Sequence, residues 1–239
     1  MITYYSFILI MWIIIEIIIL FLIIILISTM RINLPSTKIT LKNKYFNPDS
    51  LRNGDIISVA YSGIKGNVIN SICGNEWCHS GIVYVDDITK NKYILEGSRY
   101  EMNQKDFNKI PLSKWIKLNK YSKICIMKLN GTISSDQLLQ KFKPFMNNSY
   151  LDGLSYKWIR FLRKTPFVKK INYKRAFTCN EALIRTLQEV GVFDTKYSES
   201  SYLLENILRR QIKCKNGFSY DEPYQICLGR PYVRGYIED

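Results

Sequence analysis

Residues 2 to 28, from Ile2 to Ser28, are apolar almost throughout, and only Glu16 breaks the run. That stretch divides the chain before any finer pattern matters. At 1.5 Å rise per residue, a helix of about 20 such residues crosses the hydrocarbon core of a bilayer. A secretory signal peptide would instead show a basic start, an apolar run of about 7–15 residues and a small-residue cleavage site. Here the run is longer, no Lys or Arg precedes it, and no Ala-x-Ala-like site follows. The expectation is an uncleaved transmembrane anchor over residues 1–30. Glu16 falls near the bilayer centre, at about 2.5–3.5 kcal/mol on insertion scales, and the many Ile and Leu residues around it outweigh that cost.

Charge is distributed as unevenly as hydropathy. The chain holds 34 Lys and Arg against 20 Asp and Glu, a net +14, and every basic residue lies beyond the anchor. Arg31, Lys38, Lys42 and Lys44 flank the membrane exit. The positive-inside rule then places the remainder of the chain on the cytoplasmic side, with membrane lipid as a partner through its anionic headgroups. The basic residues are scattered, with no zinc-finger spacing or RNA-binding signature, so no specific nucleic acid is expected. Six cysteines, at 73, 78, 125, 179, 214 and 227, are few for a disulfide scaffold and read as free thiols of a reducing compartment. Two sequons, at Asn130 and Asn147, point the other way, but arise readily by chance in an asparagine-rich chain.

Residues 31–47 are polar, contain Pro35 and read as a linker, which leaves residues 48–239 for the catalytic domain. Asp55–Ala60 reads as a strand after the turn residues Asn53 and Gly54. Gly81–Val85 and Lys92–Glu96 read as a hairpin, and Ser122–Leu129 as a fourth strand with two alternating faces. Beyond Asn130 the period becomes helical. Ser134 or Ser135 caps a helix through Phe145, with Leu138, Leu139, Phe142 and Phe145 on one stripe. Further helices are expected at residues 154–162, at 179–190 with a stop at Gly191, and at 199–212, ending in Arg209 and Arg210 to suit the helix dipole. The sum is an α+β domain, strands first and helices later, its antiparallel sheet packed on helices.

His79 is the only histidine, so any cysteine–histidine chemistry must use it. Among the cysteines, Cys179 has the most suggestive setting. Thr178-Cys-Asn-Glu181 fits a capping box, which makes Cys179 the first helical residue. Unpaired amides and the positive helix end there lower a thiol's pKa and supply part of an oxyanion hole. The plainer reading is a small buried residue that happens to begin a helix. Glu96 closes the hairpin's second strand, placed to accept from the imidazole and fix its tautomer; the plainer reading is a surface carboxylate at a strand end. Asp86, Asp87 and Glu101 are less well placed. A zinc site is the chemical rival, since Cys73, Cys78 and His79 cluster. Cys78 and His79 would point to opposite faces if extended, however, and no fourth ligand follows, so neither metal nor other cofactor is expected.

In order along the chain, these pieces resemble a known family. Leu51-Arg-Asn-Gly-Asp-Ile-Ile57 is similar to an opening "Gly-Asp-hydrophobic" strand. Cys78-His-Ser-Gly-Ile-Val83 looks like a "His-x-Gly-Ile-Val" strand, and Tyr93-Ile-Leu-Glu-Gly97 like a strand ending in an acidic triad member. Tyr150-Leu-Asp152 resembles a Tyr-Asp pair ahead of the nucleophile. Phe177-Thr-Cys-Asn-Glu-Ala-Leu183 is similar to a late "Cys-Ser-Glu-Leu" helix start. Together, from Leu51 to Val192, they resemble the circularly permuted NlpC/P60 enzymes of the papain-like superfamily, which include YiiX/YaeF, lecithin retinol acyltransferase-like and poxvirus-type cysteine enzymes. The order, histidine first and cysteine last, marks the permutation. Asn180 departs from the usual Ser, and residues 157–174 are longer and more basic than a compact member needs.

The resemblance implies Cys179 as nucleophile, His79 as base, Glu96 as its orienting partner, and Tyr150 on the oxyanion or substrate side. It implies a membrane-anchored thiol hydrolase, an amidase, peptidase or lipid esterase, whose peptide or acyl-lipid substrate passes through an acyl thioester. An acyltransferase of the same fold and a catalytically silent membrane or virion protein are the alternatives. Richness in Ile, Asn, Lys and Tyr fits an AT-rich genome and points towards a large DNA virus.

Overall fold

The computed structural model describes residues 11–22, 41–60, 77, 79–97, 107–120, 122–147, 149–150, 176–177, 179–194 and 207–227. Residues 11–22, within the apolar run, form a helix, α1, whose side chains are all exposed. Its 12 residues span about 18 Å at 1.5 Å each. Among the described residues, no helix is long and apolar enough to cross a membrane.

The folded unit, Lys38–Asp239, is organised by strands buried on both faces. Ile56–Ala60 (β2) is buried at every position. On one side it pairs antiparallel with His79–Val85 (β3), with Ile56 opposite Ile82 and Val59 opposite His79. On the other it pairs with Lys123–Met127 (β6). Lys92–Gly97 (β4) continues the sheet beyond β3, setting Glu96 opposite Gly81, and Phe107–Pro111 (β5) forms the edge. At the other side, Lys42–Tyr45 (β1) runs parallel to Tyr224–Cys227 (β11), which pairs antiparallel with β6. The seven strands lie in the order β1-β11-β6-β2-β3-β4-β5.

Alternation along the strands sorts side chains into two cores. Ile56, Ile82, Leu95, Cys125 and Met127 meet helices Ser135–Phe142 (α3) and Cys179–Glu189 (α4) through Leu138, Phe142, Leu183 and Leu187. Ile57, Val59, Val83, Ile94, Ile124 and Ile126 meet helix Leu112–Leu118 (α2) through Leu112, Trp115 and Ile116. Packing on both faces explains why the central strands read as continuous apolar runs.

Several expectations hold with small shifts. The Asp55–Ala60 and hairpin strands are present, and β3 begins two residues earlier, at His79 itself. Ser134, not Ser135, caps α3, accepting from the Gln137 amide at 3.2 Å. That helix gives way to a 3-10 turn over Lys143–Asn147, with Phe145 still buried. α4 ends at Glu189, and Gly191 takes the left-handed φ of +86°. Val192 N–H then reaches back to the Leu187 carbonyl at 2.8 Å, a helix stop of the Schellman kind.

Other expectations need correction. The strands do not all precede the helices, because β11 follows α4 in sequence yet inserts between β1 and β6. Part of the segment read as linker, Lys42–Tyr45, is a strand, since β11 offers it a free edge. β5 and α2 fall in a stretch where no element is expected from pattern. The 199–212 helix is described only at its end, where residues 207 and 208 are helical and 209 and 210 form a turn. The 154–162 helix lies outside the described residues.

Candidate active site

His79 is the first residue of β3, its main chain in register with Val59 of β2. Both His79 and Glu96 are nearly inaccessible, with side chains 4% and 0% exposed. Nε2 of His79 lies 2.7 Å from Oε2 of Glu96. An ionised carboxylate has only acceptors, so Nε2 carries the proton and donates. The indole Nε1–H of Trp115, on α2, donates to the same oxygen at 2.6 Å. Glu96 is thus fixed by two ring N–H groups from different elements. The surface-carboxylate reading of Glu96 does not survive that burial.

Gly81 shows why the His-x-Gly spacing suits this corner. It lies opposite Glu96 in the ladder. A Cβ there would come within 2.5 Å of Ile94 Cγ2, 3.0 Å of the Leu95 carbonyl and 3.1 Å of Glu96 Cβ. The absent side chain leaves room for the imidazole and carboxylate to meet diagonally across the strands.

Cys179 is the first residue of α4, where the capping box places it; Thr178, the cap, lies outside the described residues. Its side chain is buried, at 7% exposure for the residue. Burial pushes the thiol pKa up, but the adjacent His79 charge, a hydrogen bond from the His79 ring and one from the Ser80 main-chain N–H together bring it below the ordinary thiol range; Glu96 opposes them. With Nε2 committed to Glu96, the contact with sulfur falls to Nδ1. The expected cysteine, histidine and carboxylate therefore come together in one line: sulfur, imidazole, carboxylate.

The other described thiols lack such surroundings. Cys125, between β2 and β11, is fully enclosed, and Cys214 is half-buried; burial alone raises both. Tyr150 is placed by its backbone only. It lies on Ser149–Tyr150 (β8), paired parallel with Ala176–Phe177 (β9) so that Tyr150 faces Phe177, two residues before Cys179. Asp86 and Asp87 lie past the far end of β3, while Glu101, Cys73 and Cys78 are outside the described residues. Among the described residues, no cluster of three or more His, Cys, Asp or Glu side chains is arranged to hold a metal.

Three contributors were not legible beforehand: Trp115, Ser80 and Asn180. Ser80 Oγ donates to Asn180 Oδ1 at 2.6 Å, and that oxygen lies 3.7 Å from the Cys179 sulfur. A buried Trp needs a partner for its N–H, but sequence alone does not say which. A cavity of about 460 Å³ opens elsewhere, beside Phe193 beyond the far end of α4, and is lined by Met127, Ile212, Tyr220, Arg210 and Lys213 among others; Cys179, His79 and Glu96 do not line it. Its size does not bear on the chemistry at Cys179.

No protein-family model matches the sequence, and no curated protein matches it. Among solved structures, the chain is similar to the metalloprotein YiiX (DUF1105) of Escherichia coli O157:H7, at 16% identity and a TM-score of 0.36. That similarity covers 71% of this chain and 96% of the other. YiiX belongs to one of the groups that the motifs resemble, but a likeness this loose carries no functional argument, and the site rests on its own geometry.

Proposed function

We propose that this chain is a membrane-anchored cysteine hydrolase of the permuted NlpC/P60 kind, using Cys179, His79 and Glu96 on an amide or ester. The observation that carries the reading is a buried thiol at the first residue of a helix, set against a histidine that is itself fixed by a buried carboxylate. His79 favours the thiolate of Cys179, whereas burial alone drives the Cys125 thiol the opposite way.

The Cys179 thiolate attacks the acyl carbon, and the carbonyl electrons move to oxygen. The first-turn N–H groups of α4 lack helical acceptors and face the developing oxyanion. As the tetrahedral centre collapses, His79 gives its Nδ1 proton to the leaving amine or alcohol, and a thioester remains on Cys179. His79 then takes a proton from water, hydroxide adds to the thioester, and the acid departs as the thiolate reforms. Glu96 keeps the ring oriented and stabilises its protonated form throughout. The apolar run over residues 1–30 holds this chemistry at a membrane, with the basic domain on the cytoplasmic side.

Alkylation of the full chain by iodoacetamide, read peptide by peptide, tests the reading. A depressed thiol pKa means that the thiolate persists below the ordinary range, so labelling of Cys179 is expected at neutral pH and falls off only at lower pH. Cys125 and Cys214, both raised, label only at alkaline pH. His79→Ala should slow Cys179 labelling, and acyl-lipid or peptide activity probes should mark wild type but not Cys179→Ala. Labelling of Cys179 no faster than Cys125 and Cys214 at neutral pH overturns the proposal.

A further inference from the structure

The sequence neighbours of the two reacting residues bond to each other. His79 meets Cys179, and one position on, Ser80 Oγ donates to Asn180 Oδ1 at 2.6 Å across 100 residues of chain. The Ser80 main-chain N–H also favours the thiolate form of Cys179. Successive strand residues point to opposite faces, so the backbone that aims His79 at Glu96 directs Ser80 towards α4. Ser80 is fully enclosed, while Asn180 is half-buried.

We propose that Ser80 and Asn180 are positioning residues, whose hydrogen bond latches the first turn of α4 to β3 and so fixes the distance from sulfur to imidazole. This rests on the hydrolase reading. The Asn180 amide oxygen accepts the Ser80 hydroxyl at 2.6 Å and stands 3.7 Å from the Cys179 sulfur, so a side chain one position past Cys179 is tied directly to one position past His79. An amide oxygen has two lone pairs, and the strong Ser80 bond therefore holds the start of α4 in place beside the imidazole without competing for the thiol proton. The Asn180 departure from the family's usual serine is then a working part of this site, with an amide long enough to reach the strand.

The pH profile of Cys179 alkylation in the full chain tests the latch. Ser80→Ala removes one oxygen from an enclosed position and should move the profile upward, slowing labelling at neutral pH about tenfold, the equivalent of one unit of thiol pKa. Asn180→Ala, at a half-buried helix position that leaves the sheet untouched, should slow it to a similar degree. The double variant should lose no more than the larger single loss, because the two residues act through one bond. Ser80→Thr, which keeps the hydroxyl, should restore the wild-type profile. Continued protection of Cys125 from the reagent shows that each variant is folded, and if Ser80→Ala loosens the core, Asn180→Ala decides. Wild-type profiles in both single variants, or additive losses in the double, overturn the latch. Absence of selective Cys179 labelling in wild type overturns the hydrolase reading itself, so the two failures are distinct.

Discussion

Glu96 and Asp55 are both carboxylates enclosed by the same sheet, Glu96 2% exposed and Asp55 0%. They lie towards opposite ends of β3, Glu96 opposite Gly81 and Asp55 hydrogen-bonded through its main chain to Val83. Asp55 accepts the amides of Leu129 at 2.8 Å and Arg52 at 2.9 Å, and the Lys128 ammonium at 2.5 Å. Lys128 also donates to the Ser50 carbonyl, and Tyr220 donates to the Gly54 carbonyl next door at 2.8 Å. Burial raises the Asp55 pKa, and those donors only partly offset the rise. Glu96 accepts two ring N–H groups, and one of them belongs to an imidazole. The donors on Asp55 are main-chain amides and a lysine that tie strand ends and turns together, whereas those on Glu96 are two aromatic rings, one of them the His79 imidazole. Equal burial thus serves two ends: Asp55 pins the start of β2 to the break between β6 and Leu129–Asn130 (β7), and Glu96 fixes the ring that meets Cys179.

Exchanging the two carboxylates for neutral residues should separate those ends. Glu96→Gln keeps an acceptor for His79 and Trp115 but removes the charge that stabilises the imidazolium. Acylation of Cys179 by an activity probe is expected to fall by about 10³–10⁴-fold, as when the carboxylate of a hydrolase triad becomes an amide, with little change in thermal unfolding. A large drop in stability with acylation intact would erase the contrast. Asp55→Ala orphans two amides and strips the Lys128 ammonium of its carboxylate partner, leaving it the Ser50 carbonyl, and should cost about 3–5 kcal/mol in urea unfolding while the folded fraction acylates at the wild-type rate. Loss of acylation in that folded fraction would show that the two ends of β3 are coupled. Ser58 supplies the smallest effect. It lies between Ser80 and Cys125 in the ladder, fully buried, and its hydroxyl has no hydrogen-bond partner among the described residues. Ser58→Ala should change stability by less than about 1 kcal/mol, with a gain the expected sign, because a buried hydroxyl without a partner carries only its desolvation cost. A marked loss would place Ser58 in a polar network like that of Asp55.

What could be read beforehand follows from which contacts are local. The single histidine, the Thr178–Glu181 cap pattern and the hairpin that sets Glu96 near His79 are all written in short stretches of sequence, so the three side chains that meet at the candidate site are legible there. The central strands and α3 were visible for the same reason, through periodicity. Ser80–Asn180 and Trp115–Glu96 are single bonds between distant segments, and no local period announces them. β11 was missed on similar grounds: Tyr224–Cys227 is four residues long, and its place in the sheet is decided by the edges of β1 and β6 rather than by its own pattern. Lys128 shows the converse. Its alternation with Ile124 and Ile126 suggested one continuous strand, yet its ammonium turns to Asp55 and the ladder breaks there into β6 and β7.

The insertion of β11 between β1 and β6 has a consequence for the order in which the domain can be assembled. During synthesis β1 emerges early, but its only neighbour in the sheet is the strand that emerges last among those described. Until β11 arrives, β6 presents an open edge and β1 has nothing to pair with. The hairpin carrying His79 and Glu96 joins strands close in sequence and can form long before that, whereas Cys179 must wait for α4. The nascent chain therefore holds His79 and Glu96 together before Cys179 can join them, and its sheet is sealed only after Cys179 is in place.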